Sequence, residues 1–166
     1  MAEIPTWPAT LPLPSPDSYN VTPGTPYIRT AMDGGRARQR RRFTRVSPSV
    51  DVVWTFTQLQ YAIFEAWLQY EVHYGASFFE IDLVNGLGIG PARARFMNDP
   101  PFKATLQGST TEYWQVTATL DVKPLPIMSR DDFDVLSEYS APDLDALANA
   151  LHTLVHVTLP GPGRWD

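Results

Sequence analysis

The chain has 166 residues, 43% of them hydrophobic and only 19% charged, a composition that suits one packed domain with arms and is too apolar for wholesale disorder. Its formal charge of -5 argues against a globally basic nucleic-acid coat, and the lack of cysteine excludes disulfides, thiolate metal sites and a cysteine nucleophile. No basic segment leads into an apolar run, and no stretch approaches the roughly 18 apolar residues of a membrane span, so the expectation is a soluble chain without a signal peptide or membrane span.

Residues 1–30 contain Pro5, Pro8, Pro12, Pro14, Pro16, Pro23 and Pro26. Proline removes amide donors and fixes the backbone, so this segment reads as an extended arm rather than a helix or central strand. It also carries Ile4, Trp7, Leu11, Tyr19 and Tyr27, apolar side chains that a solvated linker does not need. The expectation is docking on a neighbouring surface, with Trp7 filling a pocket there. Asp33-Gly34-Gly35 supplies a turn, and the arginine-rich run from Arg36 to Arg45 follows. As an extended strand, the run puts Arg36, Arg38, Arg40 and Arg42 on one side, a cationic stripe suited to carboxylates or to phosphates.

Ser49 to Thr57 alternates Val50, Val52, Trp54 and Phe56 against polar positions, a half-buried strand. Thr57-Gln58-Leu59-Gln60 has the spacing of a capping box, and Leu59, Ile63, Phe64, Trp67, Leu68 and Val72 then recur at helical intervals until Gly75. Ser77–Val84 is a second alternating strand, and the glycines of 86–90 form a turn into a third strand with Ala92, Ala94 and Phe96 inward. A short strand is expected at 103–107 and a long one from Trp114 to Val122, stopped by Pro124 and Pro126. Beyond them lie a short helix in 129–139 and a second one opened by Ser140-Ala141-Pro142-Asp143, with a stripe of Leu144, Leu147, Leu151 and Leu154. The tail from Leu159 carries Trp165, a second candidate anchor. The fold expected is α+β: an antiparallel sheet packed on one central helix over 31–126, a proline-rich arm over 1–30, and a helical appendage over 127–166.

Chemistry is weakly signalled. The glycines of 86–90 lack a Walker lysine and a following helix, and a hairpin turn explains them better than a phosphate loop. His152 and His156 have helical i,i+4 spacing without the glutamate of a zincin motif, and no serine elbow is present. Neither enzyme, cofactor nor metal is expected.

The stretch from about Pro26 to Val122 resembles a family of small tail-associated structural proteins of tailed bacteriophages. The likeness rests on Arg29-Thr30-Ala31-Met32-Asp33-Gly34-Gly35-Arg36-Ala37-Arg38-Gln39-Arg40-Arg41-Arg42-Phe43, on Val52-Val53-Trp54 and on Phe64-Glu65-Ala66-Trp67. It implies a virion component of the tail or baseplate, similar to ripcord-like ring-locking proteins, made in the host cytoplasm and present in multiple copies. The residues leave open a head-tail connector or a nucleic-acid- or anion-binding module that uses the same arginines.

Overall fold

The computed structural model describes residues 4–108 and 113–158. Among the described residues the fold is mixed α/β, mainly an antiparallel sheet with three α-helices, and the chain divides into two units, Met1–Pro126 and Ile127–Asp166.

In the first unit the strands are β1 (Asn20–Thr22), β2 (Tyr27–Thr30), β3 (Arg38–Arg41), β4 (Ser49–Thr57), β5 (Phe79–Asn85), β6 (Gly88–Phe96), β7 (Lys103–Gln107) and β8 (Tyr113–Val122), with helix α1 (Gln58–Tyr70) between β4 and β5. The main sheet runs β1-β4-β8-β6-β5, and β2 pairs only with β3. Strand β8 is the spine. It pairs with β4 along its whole length on one side; on the other, residues 120–122 meet β6 and residues 113–117 meet β7. Period-two patterning puts Val50, Val52, Trp54 and Phe56 on the same buried face as Phe79, Ile81, Phe96, Val116 and Leu120.

The capping box forms as spaced: the Gln60 amide donates to Thr57 Oγ1 at 3.4 Å and the Thr57 amide donates to Gln60 Oε1 at 2.9 Å. Phe64, Trp67 and Leu68 of α1 are buried in the same cluster as the sheet, whereas Leu59 is 71% exposed. Leu59 lies about two and a half turns before Leu68, hence on the opposite side of the helix. The helix ends through His73 and Tyr74, both with positive φ, and Gly75 at φ 90°. A Cβ on Gly75 would meet Phe96 and Pro101 at 3.1–3.2 Å, so glycine serves both the backbone conformation and the close approach.

The N-terminal segment departs from the expected arm. Leu11 is buried, and Trp7 packs against the core, stacking on Trp54 at 5.1 Å and meeting Trp67 edge-on at 5.1 Å. The segment is pinned at both ends. The Trp7 amide donates to Glu80 O at 2.7 Å and the Glu80 amide to Pro5 O at 2.9 Å on β5; the Ser15 amide donates to Val53 O at 2.8 Å on β4. From Thr6 to Ser15 an extended chain reaches roughly 30 Å, against about 14 Å for the three strand spacings between β5 and β4, so a strap across the sheet is sterically easy. The prolines suit it, because a segment lying over an apolar face has few chances to satisfy amide donors and proline has none to satisfy. After the strap, β1 pairs with β4, with Val21 opposite Val50. Segment 1–30 therefore contains two strands, both short and neither central, which its prolines allow.

In the second unit, α2 (Arg130–Leu136) is capped by Ser129, and α3 (Ala141–Thr153), followed by a wider turn Leu154–Thr158, is capped by Ser140. The Ser140 hydroxyl donates to Asp143 Oδ2, and so does the Ser140 amide, at 3.2 Å; the hydroxyl bond first and then the amide bond hold the Asp143 carboxyl below its ordinary value. Neither helix buries a residue, and the two do not pack against each other.

Two tests follow from the packing. Trp67→Ala should cost about 3–5 kcal/mol of stability, while Leu59→Ala should change it by no more than about 0.5 kcal/mol; chemical denaturation of both variants separates the buried face of α1 from the exposed one. Tyr61, stacked on Trp114 at 4.4 Å, has its hydroxyl pushed up to about 12 by burial and by Glu65. Since this folded value lies above the ordinary value of 10, its contribution is complete below pH 10 and is lost as pH rises from there toward 12. Thermal melts over that range should decline less steeply for Tyr61→Phe than for the natural chain.

Candidate functional site

The arginines form a hairpin rather than a strand of the main sheet. In β2 and β3, Thr30 pairs with Arg38, Ile28 with Arg40, Arg29 with Gln39 and Tyr27 with Arg41. Seven-residue loop closure from Ala31 to Ala37 depends on Gly35, at φ 102°, a conformation other residues rarely adopt. At the base, the amides of Arg42 and Phe43 both donate to Pro26 O, at 2.8 and 3.0 Å. Two successive donors on one carbonyl are the signature of a bulge, which ends strict alternation there.

This geometry corrects the four-arginine stripe. Arg38 and Arg40 share one face of β3; Arg36 lies in the loop, and Arg42 lies beyond the strand with its guanidinium over the Phe43 ring at 5.2 Å. The opposite face carries Arg29 and Arg41. Arg41 turns back on its own chain, with Nε donating to Phe43 O at 3.0 Å and Nη2 to Thr44 O at 2.9 Å. Arg29 had no part in the stripe; the signal for it was Tyr27-Ile28-Arg29-Thr30 followed by Asp-Gly-Gly, a hairpin pattern that the reading of 1–30 as an extended arm left unpaired with the arginine run.

Electrostatically the hairpin is uncompensated. Arg29, Arg36, Arg38, Arg40, Arg41, Arg42 and Arg45 are more than half of the chain's 13 Lys and Arg, and Asp33 is the sole carboxylate among them. None of these arginines is in an ion pair among the described residues. Elsewhere arginines are paired: Arg93 with Glu80 at 2.9 Å and Arg95 with Asp121 at 2.8 Å across the outer sheet face. Arg29, Arg36, Arg38 and Arg40 are exposed, so their forks are free for bidentate contact with carboxylate or phosphate.

The two tryptophan anchors fare differently. Trp7 belongs to the core of its own chain, which corrects its assignment to a neighbour's pocket: the ring is occupied by Trp54, Trp67, Phe64 and Phe79, and Nε1 donates to Pro12 O at 3.3 Å. Trp165 lies outside the described residues. The glycine run of 86–90 closes a hairpin, with Asn85 opposite Gly88 and the Leu87 amide donating to Asn85 Oδ1 at 2.7 Å. Among the described residues no group of three or more His, Asp or Glu is placed to hold a metal, and no helix is long and apolar enough to cross a membrane. An open recess of about 340 Å³ is lined by Ile4, Pro5, Thr6, Trp67 and Glu71; among the described residues it brings together one carboxylate, one hydroxyl and an indole.

Comparison with family models, curated proteins and solved structures finds no match for this chain.

Proposed function

We propose that this chain is a non-enzymatic structural component of a bacteriophage tail or baseplate, which docks to neighbouring tail proteins and locks them through its arginine hairpin. The observation that carries the reading is a hairpin of exposed arginines without ion pairs, joined to a body in which a sheet packs on α1. A lone two-stranded hairpin is marginally stable in water, so an acidic partner surface would both satisfy its charges and order it. The resemblance in 29–43, 52–54 and 64–67 supplies the tail context. The extended element available for docking is the hairpin rather than residues 4–15, which the core already uses. Assembly would take place in the host cytoplasm and the product would reside in the virion.

A second reading, a head-tail connector or nucleic-acid-binding module, draws on one feature: arginines on both faces of a β-ribbon, as Arg38 and Arg40 oppose Arg29 and Arg41. Such a ribbon can enter a groove and contact both phosphate backbones.

The charge-reversal variant Arg38→Glu/Arg40→Glu separates these readings. Because neither side chain is in an ion pair, its unfolding midpoint should stay close to that of the natural chain. Binding to purified tail-tip proteins, followed by light scattering, should weaken at least about tenfold. Undiminished binding removes the hairpin from the interface; salt-dependent affinity for DNA, lost in the variant, favours the second reading.

A further inference from the structure

Strand edges in the first unit are finished in two ways. On β5 the chain covers its own outer edge: Thr6 bridges Glu80, with the Trp7 amide donating to Glu80 O and the Glu80 amide to Pro5 O. β3 has no such cover, since among the described residues it pairs with β2 and no other strand. Which of its backbone groups are left over follows from the register. The Arg42 amide donates to Pro26 O, which makes 26 and 42 a hydrogen-bonded position, and along an antiparallel ladder bonded and non-bonded positions alternate. Ile28 with Arg40 and Thr30 with Arg38 are then bonded pairs, whereas Tyr27 with Arg41 and Arg29 with Gln39 are not. The amides and carbonyls of Gln39 and Arg41 therefore point away from β2 along the free edge, and among the described residues neither amide has a backbone partner.

An open edge is a template for another strand, and its side chains narrow which strand it accepts. Arg38 and Arg40 lie on one face of β3, exposed and in no ion pair among the described residues. Residues directly opposite them on an added strand would stand about 4.5–5.5 Å away between Cβ atoms, within reach of a carboxylate. A second copy of β3 would set arginine against arginine, which is destabilising. A nucleic-acid backbone would meet the guanidinium groups but offers no row of donors to the outward carbonyls of Gln39 and Arg41. An extended acidic peptide satisfies both the charges and the backbone.

We infer that the outer edge of β3 takes an extended segment of a partner protein as a third strand, with acidic residues at alternate positions of that segment facing Arg38 and Arg40. The inference rests on the docking reading above and names its mode: main-chain bonds to Gln39 and Arg41 supply affinity, and the two arginines select the sequence. A third strand also takes the ribbon beyond the two-stranded state that is marginal by itself.

The test uses the whole chain with a synthetic peptide of alternating glutamate and valine, and reads amide hydrogen exchange. Saturating peptide should slow exchange at Gln39 and Arg41 at least about tenfold. Gln39→Pro removes the outward donor, keeps every charge and is a substitution that strand edges tolerate; it should weaken peptide binding about tenfold, while Gln39→Ala, which keeps the donor, should not. The Ile28 and Arg40 amides, bonded across the hairpin, report whether the proline variant retains it; if it does not, exchange in the natural chain decides. Peptide binding with Gln39 and Arg41 exchanging as in the free chain overturns the inference, as does failure of the peptide to bind or a preference for duplex DNA over it. If Arg38→Glu/Arg40→Glu still weakens binding to tail-tip proteins in those cases, docking through the hairpin stands and only the strand-adding mode falls.

Discussion

The stacking of Trp7 on Trp54 is the contact on which the rest of the first unit depends. It ties the start of the chain to the middle of the sheet and sets both rings against Phe64. Around it lie Trp67 and Phe79, at 5.1 Å from each other and perpendicular. Ring pairs of this kind contribute about 0.5–1.5 kcal/mol each beyond the area they bury. The cluster fills the space between sheet and helix so fully that Trp54 Nε1 is left without a hydrogen-bond partner. An unsatisfied buried donor costs about 1–3 kcal/mol, and burying an indole of this size outweighs it. The Trp67 indole escapes the same cost by donating to Thr6 O at 3.1 Å, a second reason that the strap and α1 form together.

The use of arginine divides along the same line between folding and binding. On the outer sheet face Arg93 and Arg95 are spent on Glu80 and Asp121, and Arg95 also lies over Phe78, at 5.0 Å from its ring centre. Exposed pairs like these add little stability individually; they satisfy a polar face and define it as finished. Among the described residues no arginine of the hairpin is in an ion pair, and Asp33 is the one carboxylate in the run 29–45. Placing a concentrated positive charge on an element outside the main sheet separates the surface that binds from the core that folds.

Much of the sheet was legible because its signal is local. Alternation in 49–57, 79–85 and 113–122 needs no knowledge of the partner strand, and the Thr57-Gln60 box announces α1 in four residues. The register of β8 against β6 and β7 was not legible, since it depends on where the chain between them turns. The strap was misread for a physical reason. Proline density describes the backbone of 1–30 correctly, but whether an extended backbone lies in solvent, on a neighbour or on its own sheet is decided by apolar side chains such as Trp7 and Leu11 meeting a face built more than forty residues later. The candidate site was half legible: composition marks the arginines, while their distribution over two faces follows from pairing with β2, which Pro26 concealed.

The central claim is that residues 4–15 pack on the core of their own chain, so that docking falls to the hairpin. Native-state amide hydrogen exchange of Trp7 and Ser15 tests it most directly, because these amides donate to β5 and β4. Protection approaching that of Val116 and Leu120 in β8 is the predicted result, since breaking either bond would require the aromatic cluster to open. Exchange at the rate of an unstructured peptide, with β8 still protected, would contradict the account and return this segment to the role of a free arm.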